Sequence, residues 1–103
     1  MLEPVQQPAN PVFLNINPSW SPDGRAIVFD SNRGGEWGIY AIAPDGAGER
    51  RLSDRGRHPS WSPDGTRIAY YTDVDGYFEL FVMNADGTNR RRLTTGSVRN
   101  GAD

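Results

Sequence analysis

The sequence predicts an all-β fold made of two four-stranded sheets, and three observations carry that prediction. First, Pro18-Ser19-Trp20-Ser21-Pro22-Asp23-Gly24 recurs letter for letter as Pro59-Ser60-Trp61-Ser62-Pro63-Asp64-Gly65. Second, residues 18–53 align with 59–94 without a gap, so that Ile27 meets Ile68, Phe29 meets Tyr70, Trp37 meets Phe78, Ile39 meets Leu80 and Tyr40 meets Phe81. A duplication with a period near ~40 residues is the mark of a repeat architecture. Third, apolar content is only 36%, while Gly (12) and Pro (8) are plentiful, a mixture suited to short strands joined by tight turns.

Each element follows from its residues. Residues 1–11, with Pro4, Pro8 and Pro11, read as an extended or disordered arm, because each proline turns its predecessor away from helix. The run 12–16 (Val-Phe-Leu-Asn-Ile) can pair as a strand and cover a sheet edge; its counterpart before the second copy is polar. Within each copy the first strand holds Trp20 or Trp61. Ser-Pro-Asp-Gly then turns the chain: proline presets φ, aspartate suits the third position, and glycine takes the left-handed position. Second strands are expected over 25–31 and 66–72, third strands over 37–43 and 78–84. Asp45-Gly46 and Asp86-Gly87 reverse the chain into last strands at 50–52 and 90–93, and a polar tail follows from 95. The second and third strands carry bulky groups on both sides: Ile68 and Tyr70 oppose Ala69 and Tyr71, and Leu80 and Val82 oppose Phe81 and Met83. A sheet with one wet face alternates apolar with polar. These sheets should therefore be covered on both faces, as in the stacked blades of a propeller.

The repeat pattern, with Arg67-Ile68-Ala69-Tyr70, the stretch 78–89 and Arg91-Arg92-Leu93-Thr94 behind the second motif, resembles the WD40-like PD40 repeat of TolB-type β-propellers. The resemblance implies that residues 12–58 form one blade and 59–103 a second. In each blade the first strand would lie nearest the central axis. It also implies a six-bladed ring, a protein or peptide partner at the ring's face or channel, and a periplasmic or other extracytoplasmic location. Two blades cannot close a ring. If each open flank left roughly 500 Å² of apolar surface wet, the forgone stabilisation would be about 12 kcal/mol, comparable with the ~5–15 kcal/mol that holds a whole domain together. Closure by three identical chains, through head-to-tail contacts, is the expected remedy.

Composition narrows the function. A net charge of -2 implies no bulk attraction to nucleic acid, and no apolar run approaches membrane-spanning length. The absence of cysteine rules out disulfides and thiolate metal sites. Met1-Leu2-Glu3-Pro4 offers neither a basic start nor an apolar core, so no secretory signal is expected in this chain. All 11 cations are arginine. Those at 50, 51, 55, 57 and 90–92 read as charges that keep an outermost strand from pairing with another chain.

Few residues point to chemistry. The motif residues Trp20, Ser21, Pro22, Asp23 and Gly24, with Trp61, Ser62, Pro63, Asp64 and Gly65, read as turn and packing residues. His58, the sole histidine, and its counterpart Asn17 precede the prolines of the inner strands and are candidates for a channel or ligand contact. A closed zinc site needs four ligands, and His58 has no evident companions, so neither metal nor cofactor is expected. The Asp-rich turns lack the terminal bidentate Glu of a calcium loop. No nucleophile elbow and no phosphate-cradling loop occur, so no catalytic residue is assigned. Trp37, Tyr77 and Phe78, at loop-to-strand junctions, can rim a carbohydrate cleft between blades. The expected function is a non-enzymatic, self-assembling binding or scaffold protein. Lectin-like sugar binding and an engineered fragment without a natural ligand are the alternatives.

Overall fold

The computed structural model describes residues 13–95. The arm at 1–11, Val12 and the tail beyond 95 lie outside the described residues. The chain forms two four-stranded antiparallel sheets, each laid out in chain order. The first holds β1 (Asn15–Trp20), β2 (Ile27–Ser31), β3 (Gly38–Ile42) and β4 (Arg50–Ser53). The second holds β5 (Arg57–Trp61), β6 (Arg67–Val74), β7 (Tyr77–Asn84) and β8 (Arg91–Arg92).

Several boundaries differ from the expectation. Of the run 12–16, the described residues 13–16 place Asn15 and Ile16 in a strand; Phe13 and Leu14 are exposed, and Leu14 instead trades hydrogen bonds with Asn32. Asp73 and Val74, expected in a loop, extend β6 to pair with Phe78 and Tyr77. The hairpin between them is only Asp75-Gly76, both with positive φ (53° and 86°). Two such residues match the right-handed strand twist, so the ladder runs to the tip. The matching connection in the first sheet, 32–37, is longer, and its strands are correspondingly shorter.

The repeated Ser-Pro-Asp-Gly turn is built alike in both copies. Gly24 N–H donates to Ser21 O, and Gly65 N–H to Ser62 O, each at 2.9 Å. Both glycines sit at φ +75°, where a side chain would be strained. The Ser62 hydroxyl donates to Asp64 (2.7 Å), which also accepts from the Thr66 N–H and hydroxyl. These donors hold the Asp64 carboxyl down at about 2, well below its ordinary value. Asp23 and Asp86 are lowered by their own hydroxyl and backbone donors, led by Ser21 and Thr88. A depressed folded-state pKa means stability that is present above the unfolded value, near ~3.9, and lost as pH falls through the folded one. Acid should therefore loosen these turns between about pH 4 and about pH 2. Carboxyl carbon NMR should find the Asp64 midpoint near 2. A midpoint at the ordinary aspartate value would show that the turn does not hold its carboxylate as described.

The core lies between the two sheets. Val28, Ile39, Ala41 and Leu52 of the first meet Ile68, Tyr70 and Met83 of the second, with Trp61 and Phe81 packed against them. Trp61 also donates its indole N–H across the seam to Ser19 O (3.0 Å).

The expectation of cover on both faces is met unevenly. On the far face of the first sheet, Phe29 and Tyr40 stack on each other (5.8 Å) and are buried. Their cover is arginine, not another sheet: the Arg33 guanidinium lies 4.8 Å from the Tyr40 ring centroid and 5.6 Å from that of Phe29, and Arg51 lies 5.5 Å from Tyr40. Arg33 is held by an ion pair with Glu49 and a hydrogen bond to Asn15. A guanidinium stacks well on aromatic faces, so a lid of two arginines can seal this flank. The far face of the second sheet has no such lid. Leu80 is 47% exposed and Leu93 55%.

Candidate functional site

The two sheets meet along two features: a buried polar latch and an open cleft. The latch starts from the proline motifs. Asn17 and His58, each just before a proline, adopt left-handed backbone (φ 56° and 55°), and both strand pairings slip in register there. Proline cannot donate to a ladder, and a bulge absorbs the break. At His58 the bulge aims a backbone N–H at Asp30 of β2, in the other sheet; it donates to Asp30 Oδ2 at 2.7 Å. The same oxygen accepts from Asn17 Nδ2 (2.9 Å) and from Arg57 Nε (3.4 Å). Asp30 is fully buried, and among the described residues its Oδ1 has no hydrogen-bond partner.

Asp30 thus ties the first strands of both sheets, β1 and β5, to one carboxylate. It did not stand out in the sequence, where an acid on a strand reads as a solvent-facing residue. One signal was present: its counterpart in the second copy is the aromatic Tyr71. That ring stacks on the His58 imidazole (5.2 Å) and meets Phe78 in a T-shaped contact (5.2 Å). Asn17 and His58 therefore hold equivalent backbone positions but face different partners. Among the described residues, no three His, Asp or Glu side chains gather at one point.

The cleft lies between the β2–β3 connection, the β4–β5 link and the β6–β7 hairpin. It encloses about 300 Å³ and is lined by Trp37, Phe78, Arg55, Glu36, Thr72 and Asp73, with Gly56 and Arg57 beside them. Trp37 and Phe78, aligned by the duplication, come to the same cleft; Tyr77 does not line it. Gly56 (φ 147°) forms the floor, where a Cβ would approach Tyr70 and Ile39 to 2.8 and 2.9 Å. Arg55 spans the cleft between Glu36 (3.6 Å) and Asp73 (3.9 Å). Arg57 lies on the Trp37 ring, 3.8 Å from its centroid. The arginines therefore differ in role from the single edge-blocking function read from the sequence. Arg50, Arg91 and Arg92 sit exposed on the last strands of the two sheets, whereas Arg57 is on β5, the first strand of its sheet, and Arg51 covers Tyr40.

The motif residues divide similarly. Trp61 is half-buried in the seam, while its twin Trp20 is 60% exposed. Ser21, Pro22, Asp23 and Gly24, like Ser62, Pro63, Asp64 and Gly65, form their turns at one end of the sheets.

Known proteins share this architecture. A TolB-assigned structure from Agrobacterium tumefaciens superposes with a TM-score of 0.72 at 31% identity, over 78% of this chain and 33% of that one. TolB from Acinetobacter baumannii shares the fold at 22% identity and a TM-score of 0.68, over 79% of this chain and 21% of its own. In sequence, a stretch of 39 residues, 38% of this chain, is 42% identical to the Tol-Pal system protein TolB of Syntrophus aciditrophicus (strain SB) and spans 9% of it. The chain thus spans about a third or less of each of these proteins. The family profile described as the TolB beta propeller domain matches residues 5–102. With the duplicated motif, the two four-stranded sheets and this match in agreement, the chain belongs to the PD40 family of TolB β-propeller domains.

Proposed function

We propose that the chain is a non-enzymatic binding scaffold whose two blades complete a six-bladed ring with two further copies. Its protein or peptide partner would dock at the ring's face or in the channel that β1 and β5 line, near Asn17 and His58. The observation that carries the reading is the pairing of flanks. The bare flank of the second blade presents Ala69, Leu80, Val82 and Leu93. These are the repeat counterparts of Val28, Ile39, Ala41 and Leu52, the surface that the second blade covers within the chain. The flank of the first blade presents Phe29 and Tyr40, the counterparts of Tyr70 and Phe81. A second copy therefore brings the apolar shape already seen at the internal seam, with Tyr71 standing where that seam has Asp30. Such a contact is head-to-tail, and it closes into a ring when the blade number fits.

Docking would exchange the arginine lid over Phe29 and Tyr40 for the neighbour's leucines. It would also place exposed Trp20 where Trp61 sits, with its indole N–H on Ser60 O of the neighbour. A relative is named as a Tol-Pal system protein, which favours a protein partner and an extracytoplasmic setting.

Light scattering should give a mass near three times 11.4 kDa. Dilution should red-shift tryptophan emission as Trp20 returns to water. Leu80→Asp, on the bare flank, should leave a folded chain of single mass with unchanged circular dichroism. A wild-type chain that stays at 11.4 kDa when concentrated would end the ring proposal.

A further inference from the structure

We propose that the cleft between the two blades binds a neutral hexose unit, with Phe78 and Trp37 as its aromatic walls. The cleft lies inside one chain, so the inference stands apart from ring closure. Its polar lining selects the ligand class. Glu36 and Asp73 offer carboxylate oxygens, Arg55 offers guanidinium N–H groups, and the Thr72 hydroxyl can do either. With Arg57, the lining carries two acids and two arginines, so it favours neither an anion nor a cation. A ring of hydroxyls suits it: each hydroxyl donates to a carboxylate and accepts from a guanidinium, and no net charge must be matched.

The groups are also free to engage. The Arg55 ion pairs, at 3.6 and 3.9 Å, are longer than hydrogen bonds, so its exposed N–H groups can turn from solvent to a ligand's oxygens. Arg57 is differently placed: it is engaged with the Trp37 ring and Asp30, and so acts as a support for the wall.

The apolar side fits as well. Phe78 is 69% exposed although it sits on a strand beside Tyr71, which leaves a large aromatic surface without cover. Aromatic surface of this kind takes the C–H face of a pyranose, whose slightly positive hydrogens meet the negative face of the ring. The enclosed volume, about 300 Å³, lies at the small end of ligand pockets and limits the occupant to one sugar ring. In a closed ring of three chains the cleft would recur three times, once in each chain. Weak single sites would then add through multivalency.

Saturation-transfer NMR with the methyl glycosides of glucose, galactose and mannose tests the site in the intact chain. These probes are monovalent, so the readout does not need assembly. At least one glycoside should receive saturation from the chain and shift the Trp37 indole resonance. Phe78→Ala should weaken its binding ~10-fold or more, and Asp73→Asn should weaken it while leaving the circular dichroism unchanged. Methyl glucuronoside and protonated glucosamine should bind no better than the neutral glycosides. No transfer to any neutral glycoside would overturn the proposal. So would equal transfer in Phe78→Ala, or binding confined to the charged sugars.

Discussion

Ile39→Asp should leave the chain without a cooperative unfolding transition. Ile39 is fully buried at the seam, among Val28, Leu52 and Tyr70. Losing its side chain alone should cost about 2–5 kcal/mol, the range for large-to-small core changes. The new carboxylate would stand in apolar surroundings without a donor, a penalty of several kcal/mol more. The sum is comparable with the ~5–15 kcal/mol that a domain has in total. Near-UV circular dichroism should collapse, and amide NMR dispersion with it. Ile39→Val, which keeps the apolar surface, should cost only about 0.5–1.5 kcal/mol. Leu80→Asp places the same acid at the repeat-equivalent position on the bare flank, and there the chain should stay folded. If the two acids behaved alike, the assignment of a buried seam and an open flank would be wrong.

Asp30→Ala should be the most damaging single change to a polar residue. Three donors converge on one oxygen of this buried carboxylate: the His58 N–H, the Asn17 amide and the Arg57 guanidinium. Hydrogen bonds to a charged group contribute roughly 1.5–3 kcal/mol each, and their donors lose that when left unpaired. The change also removes Oδ1, which has no partner and is itself unfavourable when buried. The balance should be a loss of about 2–4 kcal/mol, seen as a fall in melting temperature of ~10–25 °C for a chain of this size. Asp30→Asn keeps an acceptor for the His58 N–H and should lose less. Equal melting temperatures for Asp30→Ala and wild type would mean that the carboxylate does not hold the blades together.

The repeat made much of this fold legible. Two identical turn motifs fix where the chain reverses, and strands with bulky residues on both sides announce sheets that stack. The Trp37–Phe78 alignment likewise foretold two aromatics in equivalent places, and the fold brings both to one cleft. What the sequence hid were contacts between residues distant along the chain. Nothing local marks Arg33 as the lid of Phe29 and Tyr40, since a guanidinium over a ring is a property of three dimensions. Asp30 was hidden by its type: a carboxylate on a strand is ordinarily wet, and here it is dry because two left-handed bulges turn donors toward it. The end of β6 was misplaced for a simpler reason. Asp73 reads as a loop residue, but a two-residue hairpin lets the ladder continue through it.

The mismatch between Asp30 and Tyr71 gives the duplicated halves a fixed sequence of assembly. A gene with the halves transposed would encode nearly the same motifs, yet its covalent seam would set an aromatic ring against the backbone of Asn17 and leave the acid facing outward. As a single unassembled chain, such a permuted form should be markedly less stable than the present order, because similar halves that have lost this equivalence can no longer trade places.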